Sequence, residues 1–444
     1  MIRYIKLKNY KSLEDLEVDF MKTTTIPKNL VLVYGENGVG KSNFATVFYT
    51  LHETTRTMSA IERWKKFVNN FNDGIDERKN KYYNNFIEDF KYNFKDIQGV
   101  IDNYKTIDSK ENMILEYGFK IDNRNAMYKI EMNDFEIVSE KLEYVIKSNV
   151  TCCFDINKNN IKINENLFTD KDYYTEFCDL LEKYWGKHSL LSVLSYEIED
   201  KKTDYIKERT STALYTFLMY IKTMCTRVKY GNKSEFGTMG LQHDMLANLE
   251  KGRISIKKEE ELNKTEMLLN IFFTNLYSDI KQVYYDKEIK DNKITYKLYL
   301  KKLVYNKLID IDFKLESTGT QNILDILPCL ISACEGQTVI IDELDSGIHD
   351  VLVESILNSI KDYITGQLLI TTHNTMLLET DIAKNNIYVF NVDSLGNKKL
   401  IPITDFNGRI HKNLNARKQY LKGMYGGVPF ANAIDFDELI ETLD

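Results

Sequence analysis

Proline is nearly absent, four residues in 444, so long helices can run without the clashes and missing donors that proline imposes. Paired metal-type cysteines are also missing. The six cysteines stand at 152, 153, 178, 225, 329 and 334, with no C-x-x-C and no histidine at zinc-ligand spacing. That pattern excludes a zinc module and points to a reducing, cytoplasmic setting. No run of eighteen apolar residues occurs, and the opening MIRYIKLKNYKS alternates apolar with charged residues where a leader would be continuously apolar. Neither membrane insertion nor secretion is expected. No heptad pattern persists over several turns, which argues against long coiled-coil arms. A basic surplus is lacking as well. Lys+Arg 59 against Asp+Glu 66 gives a formal charge of −7, unsuited to coating nucleic acid indiscriminately, although a local basic surface stays open. What remains, 43% hydrophobic and 28% charged, is ordinary globular composition with length for two or three domains.

Against this background VLVYGENGVGKS, residues 31 to 42, fits G-x-x-x-x-G-K-[ST]. A triphosphate is a cluster of negative oxygens, so its loop needs inward backbone N–H groups that bulky side chains would obstruct. Gly35, Gly38 and Gly40 remove that obstruction. Asn37 and Asn43 belong to the same nucleotide-contacting stretch. Lys41 can reach the β- and γ-phosphates, and the Ser42 hydroxyl can ligate Mg²⁺ while the following helix aims its positive end at the anion. The apolar run 30–34 before it and the helical pattern 43–51 after it supply strand, loop and helix in the required order. A glycine turn that happens to carry Lys and Ser is the bland alternative.

A second cluster spans 315 to 373. TVIIDE, residues 338 to 343, is an apolar strand ending in two acids, suited to place Asp342 in a Mg²⁺ shell and Glu343 beside an attacking water. Taken alone it reads equally well as a buried strand with solvated acids. In ESTGTQ, residues 316 to 321, Ser317, Thr318 and Gly319 precede an amphipathic helix. They are read either as an N-cap or as an anion site. Another buried strand, 367–371, ends near His373, 31 residues after Asp342, where ligands of α/β sheets collect.

The periodicities divide the chain into an N-terminal part of a head (1–55), a helical insertion (56–112) and an antiparallel β-subdomain (113–147). An α-helical domain (148–281), a C-terminal part of the head (282–405) and a tail (406–444) follow. Residues 1–9 and 16–20 read as a hairpin. Helical spacing is expected at 60–71, 82–94, 204–229 and 257–280, with a loop at 230–240 between the last two. Strands are expected at 281–285, 294–303, 308–315 and 387–393. In the tail, Arg409, Lys412, Arg417, Lys418 and Lys422 alternate with Tyr420, Met424, Tyr425 and Phe430. This is either a helix packed on the head or a docking surface.

Taken together, GENGVGKS, ESTGTQ, IIDELDSGIH, QLLITTHNTMLL and the opening IKLKNYKS resemble the ABC-type ATPases of the RecF, SMC and overcoming-lysogenization-defect group. The resemblance extends to the AAA ATPases of bacterial anti-phage defence operons paired with a separate nuclease or other effector. It implies an α/β fold: a P-loop head of mixed β-sheet with flanking helices, an antiparallel β-subdomain and a large α-helical insertion. It implies ATP hydrolysis with Mg²⁺ held by Ser42 and Asp342, Glu343 as catalytic base, His373 as γ-phosphate sensor and Asp345 in the loop that communicates across a dimer. Lys11 lies where relatives carry a basic residue near the nucleotide. In such a homodimer Ser317 and Gly319 of one subunit face the nucleotide on Lys41 of the other.

Departures from the family pattern are S-T-G-T-Q in place of S-G-G-Q and the lack of an evident γ-phosphate-sensing glutamine, for which Gln98 is a candidate. Ser317 also lies 275 positions after Ser42, more than a transporter head needs. The tail carries no acidic metal-binding constellation, so a nuclease or toxin effector is expected in trans, with a phage protein as trigger. The alternative is a DNA-repair or DNA-end-binding ATPase of the RecF or SMC kind. A transporter head would need a membrane partner, and nothing in the sequence suggests one.

Overall fold

The computed structural model describes residues 1–72, 95–146, 149–201, 203–229, 236–241, 248–382, 384–406, 415–428, 434 and 436–442. The expected helical segment 82–94, most of the loop 230–240, and Arg409, Lys412 and Phe430 lie outside the described residues.

Strands β1 (Ile2–Tyr10) and β2 (Leu13–Asp19) form the expected hairpin, and β3 (Leu30–Tyr34) leads into the phosphate loop. The expected meander appears as β4 (Met113–Ile121), β5 (Arg124–Met132) and β6 (Ile137–Val145). It does not stop there. β7 (Val150–Asn157) and β8 (Asn160–Ile163) continue it into the stretch read as α-helical, and β1 pairs with β4, giving one antiparallel sheet ordered β2-β1-β4-β5-β6-β7-β8.

Helices Lys171–Tyr184, Leu190–Lys201, Thr203–Arg209 and Thr212–Thr223 then follow in the stretch read as α-helical. The helical spacing expected through Lys229 breaks at Met224. Cys225–Lys229 is a strand, β9, because its partner is far away in sequence: Val339 lies opposite Cys225. β10 (Phe236–Met239) pairs with it on the outer side. β11 (Lys251–Ser255), helix Glu259–Leu276, β12 (Ile280–Lys290), β13 (Lys293–Val304) and β14 (Lys307–Asp312) follow. The three expected strands thus make a separate antiparallel sheet with β11.

The central sheet is completed by β15 (Thr338–Ile341), β16 (Gln367–Thr371), β17 (Ile387–Val392) and β18 (Lys398–Pro402), in the order β10-β9-β15-β16-β3-β17-β18. Its inner strands β9, β15, β16, β3 and β17 are parallel, and only the two edge pairings are antiparallel. Parallel strands covered on both faces require near-continuous apolar runs, which is why LVLVY and the VII of TVII are apolar. Side chains alternate between two cores. Val31, Val33, Ile340 and Leu369 face the helix Lys41–Thr54 and the antiparallel sheet. Leu32, Tyr34, Ile341 and Ile370 face helices Thr318–Cys334 and Glu259–Leu276. The fold is α/β with mixed sheets. All the parallel strands end on one edge, and the candidate residues collect there.

Candidate functional site

The phosphate loop turns out of β3. Gly40 caps the following helix at φ +121°, a conformation closed to residues with a Cβ, and a Cβ there would stand 3.0 Å from Leu13 Cδ2. No side chain caps this helix. Its first-turn N–H groups are therefore left without a side-chain acceptor at a positive helix end, the arrangement that receives anions. Lys41 is buried, its ammonium donating to Gly35 O and Glu36 O, both at 2.9 Å. Burial lowers its pKa, while Asp342, Glu343 and Asp345 oppose the shift. Asn37 is exposed at the loop tip. Asn43 donates to Ser12 Oγ at 2.8 Å, tying the helix to the β1–β2 turn.

One strand over, β16 ends in Thr371, which neither motif reading singled out. Its hydroxyl donates to Asp342 Oδ1 at 2.6 Å and accepts from the Glu343 N–H at 2.8 Å, so a single side chain orients both acids. Asp342 is fully buried, and its Oδ2 has no hydrogen-bond partner among the described residues. Burial pushes this carboxyl up, with Thr371 and the neighbouring Ser42 opposing. Glu343 adopts φ +47°, sparsely populated by non-glycine residues, and its Oε2 lies 2.5 Å from Lys229 Nζ.

Asp345 Oδ2 accepts from the His373 N–H at 2.9 Å, and its Oδ1 is buried without a hydrogen-bond partner among the described residues. As a residue His373 is exposed overall. Partial desolvation, and then Lys41, lower its pKa, while Asp345, Glu343 and Asp342 raise it, so it stands within electrostatic reach of the same cluster. Lys11, at φ +47°, has its ammonium 4.9 Å from the Tyr104 ring centroid. Burial lowers its pKa, and the field of Asp342 is among the effects raising it.

Gln98 does not join this group. Its amide donates to Asp102 Oδ1 at 2.7 Å and Asp134 O at 3.0 Å, beside the β5–β6 turn. No hydrogen bond among the described residues links it to the phosphate loop. The strand that exits beside Asp342 is β9, and the residue at that exit is Lys229. Sequence reasoning missed it because 225–229 reads as the end of a helix.

Ser317 and Gly319 also stand apart. Ser317 Oγ accepts from Thr320 N at 3.2 Å, capping helix Thr318–Cys334. A Cβ on Gly319 would meet Gly347 O at 2.6 Å, and Asn322 Nδ2 donates to Ser346 O at 2.7 Å. The helix start is thus pressed against the turn that follows the two acids. No hydrogen bond among the described residues joins it to Lys41. Of the two sequence readings, the N-cap is the one realised in the single chain.

An unpartnered buried carboxylate oxygen next to a serine hydroxyl suits a hard cation that takes oxygen ligands. Among the described residues no cluster of three or more His, Cys, Asp or Glu side chains could hold a metal alone. Mg²⁺ fits such a sparse site, because it is commonly bound by one or two protein groups together with substrate phosphates.

Residues 240–379 match the family described as "AAA domain, putative AbiEii toxin, Type IV TA system". The matched segment carries Ser317, Gly319, Asp342, Glu343 and His373 but not the phosphate loop. No curated protein matches the chain. Among solved structures, an SMC head bound to the C-terminal winged-helix domain of ScpA is similar at 12% identity and TM-score 0.43, over 90% of this chain and 97% of that one. The SMC head domain from Thermotoga maritima is similar at 11% identity and TM-score 0.38, over 90% and 98%. An SMC head with an extended coiled coil, bound to the C-terminal domain of ScpA derived from Pyrococcus furiosus, is similar at 12% identity and TM-score 0.39, over 90% and 95%. Segment 240–379 is thus similar to the AAA-domain family named above.

Proposed function

We propose that this chain is an ABC-type ATPase that binds and hydrolyses ATP at composite sites between two copies. On this reading it serves as sensor and scaffold for a separately encoded toxic effector, a nuclease by preference, in bacterial anti-phage defence. The observation that carries the ATPase reading is the convergence of Lys41, Asp342, Glu343 and His373 at the ends of the adjacent strands β15, β16 and β3. The effector reading rests on the family resemblance and on the toxin–antitoxin description attached to the family that residues 240–379 match.

In the proposed reaction the Lys41 ammonium exchanges the carbonyls of Gly35 and Glu36 for phosphate oxygens, and the free N–H groups at the helix start hold the same anion. Ser42 and Asp342 would hold Mg²⁺, which supplies charge neutralisation at the phosphates. The Glu343 carboxylate accepts the proton of the attacking water, and Thr371 keeps that carboxylate's backbone in place. His373, anchored through its N–H on Asp345, presents its ring towards the γ-phosphate. Ser317 and Gly319 of a second copy would close the site.

The test is ATP turnover by the purified protein, followed by recovery of tagged Glu343→Gln protein from its native operon with ATP and Mg²⁺. Phosphate release by wild type, its loss in Glu343→Gln and a stoichiometric co-encoded protein are expected. An ATP-bound dimer carrying only DNA, with salt-sensitive affinity, would move the assignment to DNA-end binding.

A further inference from the structure

Thr371 holds the backbone of Glu343, but that bond does not fix where its carboxylate points. Glu343 sits in the left-handed region, one residue beyond a buried aspartate and two before Asp345, whose charge adds to the same corner. Like charges this close repel, and a surface carboxylate with rotamer freedom would swing outward to water. Lys41 does not prevent this, since its ammonium is engaged by Gly35 O and Glu36 O. Among the described residues the one cation in ion-pair range of Glu343 is Lys229, with Nζ 2.5 Å from Oε2. The pairing follows from strand register. Arg227 of β9 lies opposite Ile341, the last residue of β15, in parallel alignment, and the Asp342 N–H still donates to Arg227 O at 2.8 Å. Two residues further along each strand direction, Lys229 ends β9 and Glu343 stands just past β15, where the ion pair joins them. Lys229 and Glu343 keep 38% and 23% side-chain exposure, so the pair lies at the mouth of the site, where water and substrate arrive.

We infer that Lys229 is a positioning residue for Glu343, holding one carboxylate oxygen so that the other stays aimed at the attacking water. This rests on the ATPase reading above. Contact with Oε2 alone leaves Oε1 to take the proton, and the lysine, fixed on the strand next to β15, supplies the restraint that the strained backbone of Glu343 does not.

The experiment compares steady-state turnover and ATP affinity of wild type, Lys229→Ala, Lys229→Arg, Glu343→Gln and the double variant Lys229→Ala/Glu343→Gln. Lys229→Ala should lower kcat roughly 10- to 100-fold while the Kd for ATP changes less than about threefold. Lys229→Arg should restore most of the rate, and the double variant should turn over no more slowly than Glu343→Gln alone. Unchanged or faster turnover by Lys229→Ala would overturn the assignment, the latter making the contact a brake. So would a loss that Arg fails to rescue, or one that persists undiminished in the Glu343→Gln background. Wild-type protein that binds ATP without hydrolysing it would remove the ATPase reading and this role together, a result distinct from any of the variant outcomes.

Discussion

Two helices in this molecule begin at glycine-containing turns, and their N-termini are in opposite states. The helix Lys41–Thr54 starts at Gly40 with no side-chain cap, next to a buried lysine and a buried aspartate whose Oδ2 has no partner among the described residues. The helix Thr318–Cys334 starts at Ser317, which caps it, and Gly319 is packed against the Gly347 carbonyl. Both ends carry the same partial positive charge. Only the first leaves it available within a single chain. An anion arriving at the second must displace Ser317 Oγ from Thr320 N. On the proposed reading, the first end would support binding by one subunit, and the second would act when another subunit delivers its phosphate.

Removing the cation at the open end should have the largest effect. Lys41→Ala is expected to weaken ATP binding about 100-fold or more, read by calorimetry; equal affinity in the two proteins would sink the site. Glu343→Gln should leave affinity nearly intact and cut turnover by about 10²- to 10⁴-fold, measured as phosphate release. Ser317→Arg should spare binding by a single subunit yet abolish turnover, and normal turnover by this variant would refute the role of the capped end. Gly319→Ala probes the same end through packing. Its Cβ collides with a backbone oxygen, so a loss of about 1–3 kcal/mol in urea denaturation is expected. A separate, pH-dependent effect lies at the far end of the phosphate-loop helix, where the buried His52 donates from Nε2 to Met224 O at 2.6 Å. Burial lowers its pKa to about 4. Below pH 6.5 the unfolded chain takes up a proton there that the native chain refuses, so this group makes stability fall with pH between 6.5 and 4. In His52→Asn the slope of unfolding free energy against pH should be shallower by about 1.4 kcal/mol per unit across that window; an unchanged slope would contradict the buried neutral state.

The open end was legible in the sequence because its chemistry is local. Strand, glycine loop, lysine and serine fall within a dozen residues, and apolar runs such as LVLVY and TVII announce strands buried on both faces. Asp342, Glu343 and His373 could be placed on the same edge because parallel strands expose their carboxyl ends together. β9 was not legible. CTRVK follows an amphipathic helix without a turn signal, and its pairing with β15 joins residues more than a hundred positions apart. Losing β9 also hid Lys229, and with it the residue that occupies the strand exit beside the two acids. Thr371 escaped for a different reason. In LLITTH it looks like any β-branched strand residue, and its bridging role appears only when β15 and β16 are set side by side. The self-capped state of Ser317 was one of two readings the sequence allowed, and packing against Gly347 favours it in the single chain.

The most direct test of the account is the mass of Glu343→Gln protein in solution with Mg²⁺ and either ATP or ADP, alongside the double variant Glu343→Gln/Ser317→Arg. The account predicts that ATP, and not ADP, doubles the mass of the first protein's assembly unit, while the double variant binds ATP and stays at the smaller mass. ATP bound at full occupancy with no change of mass in either protein would contradict it.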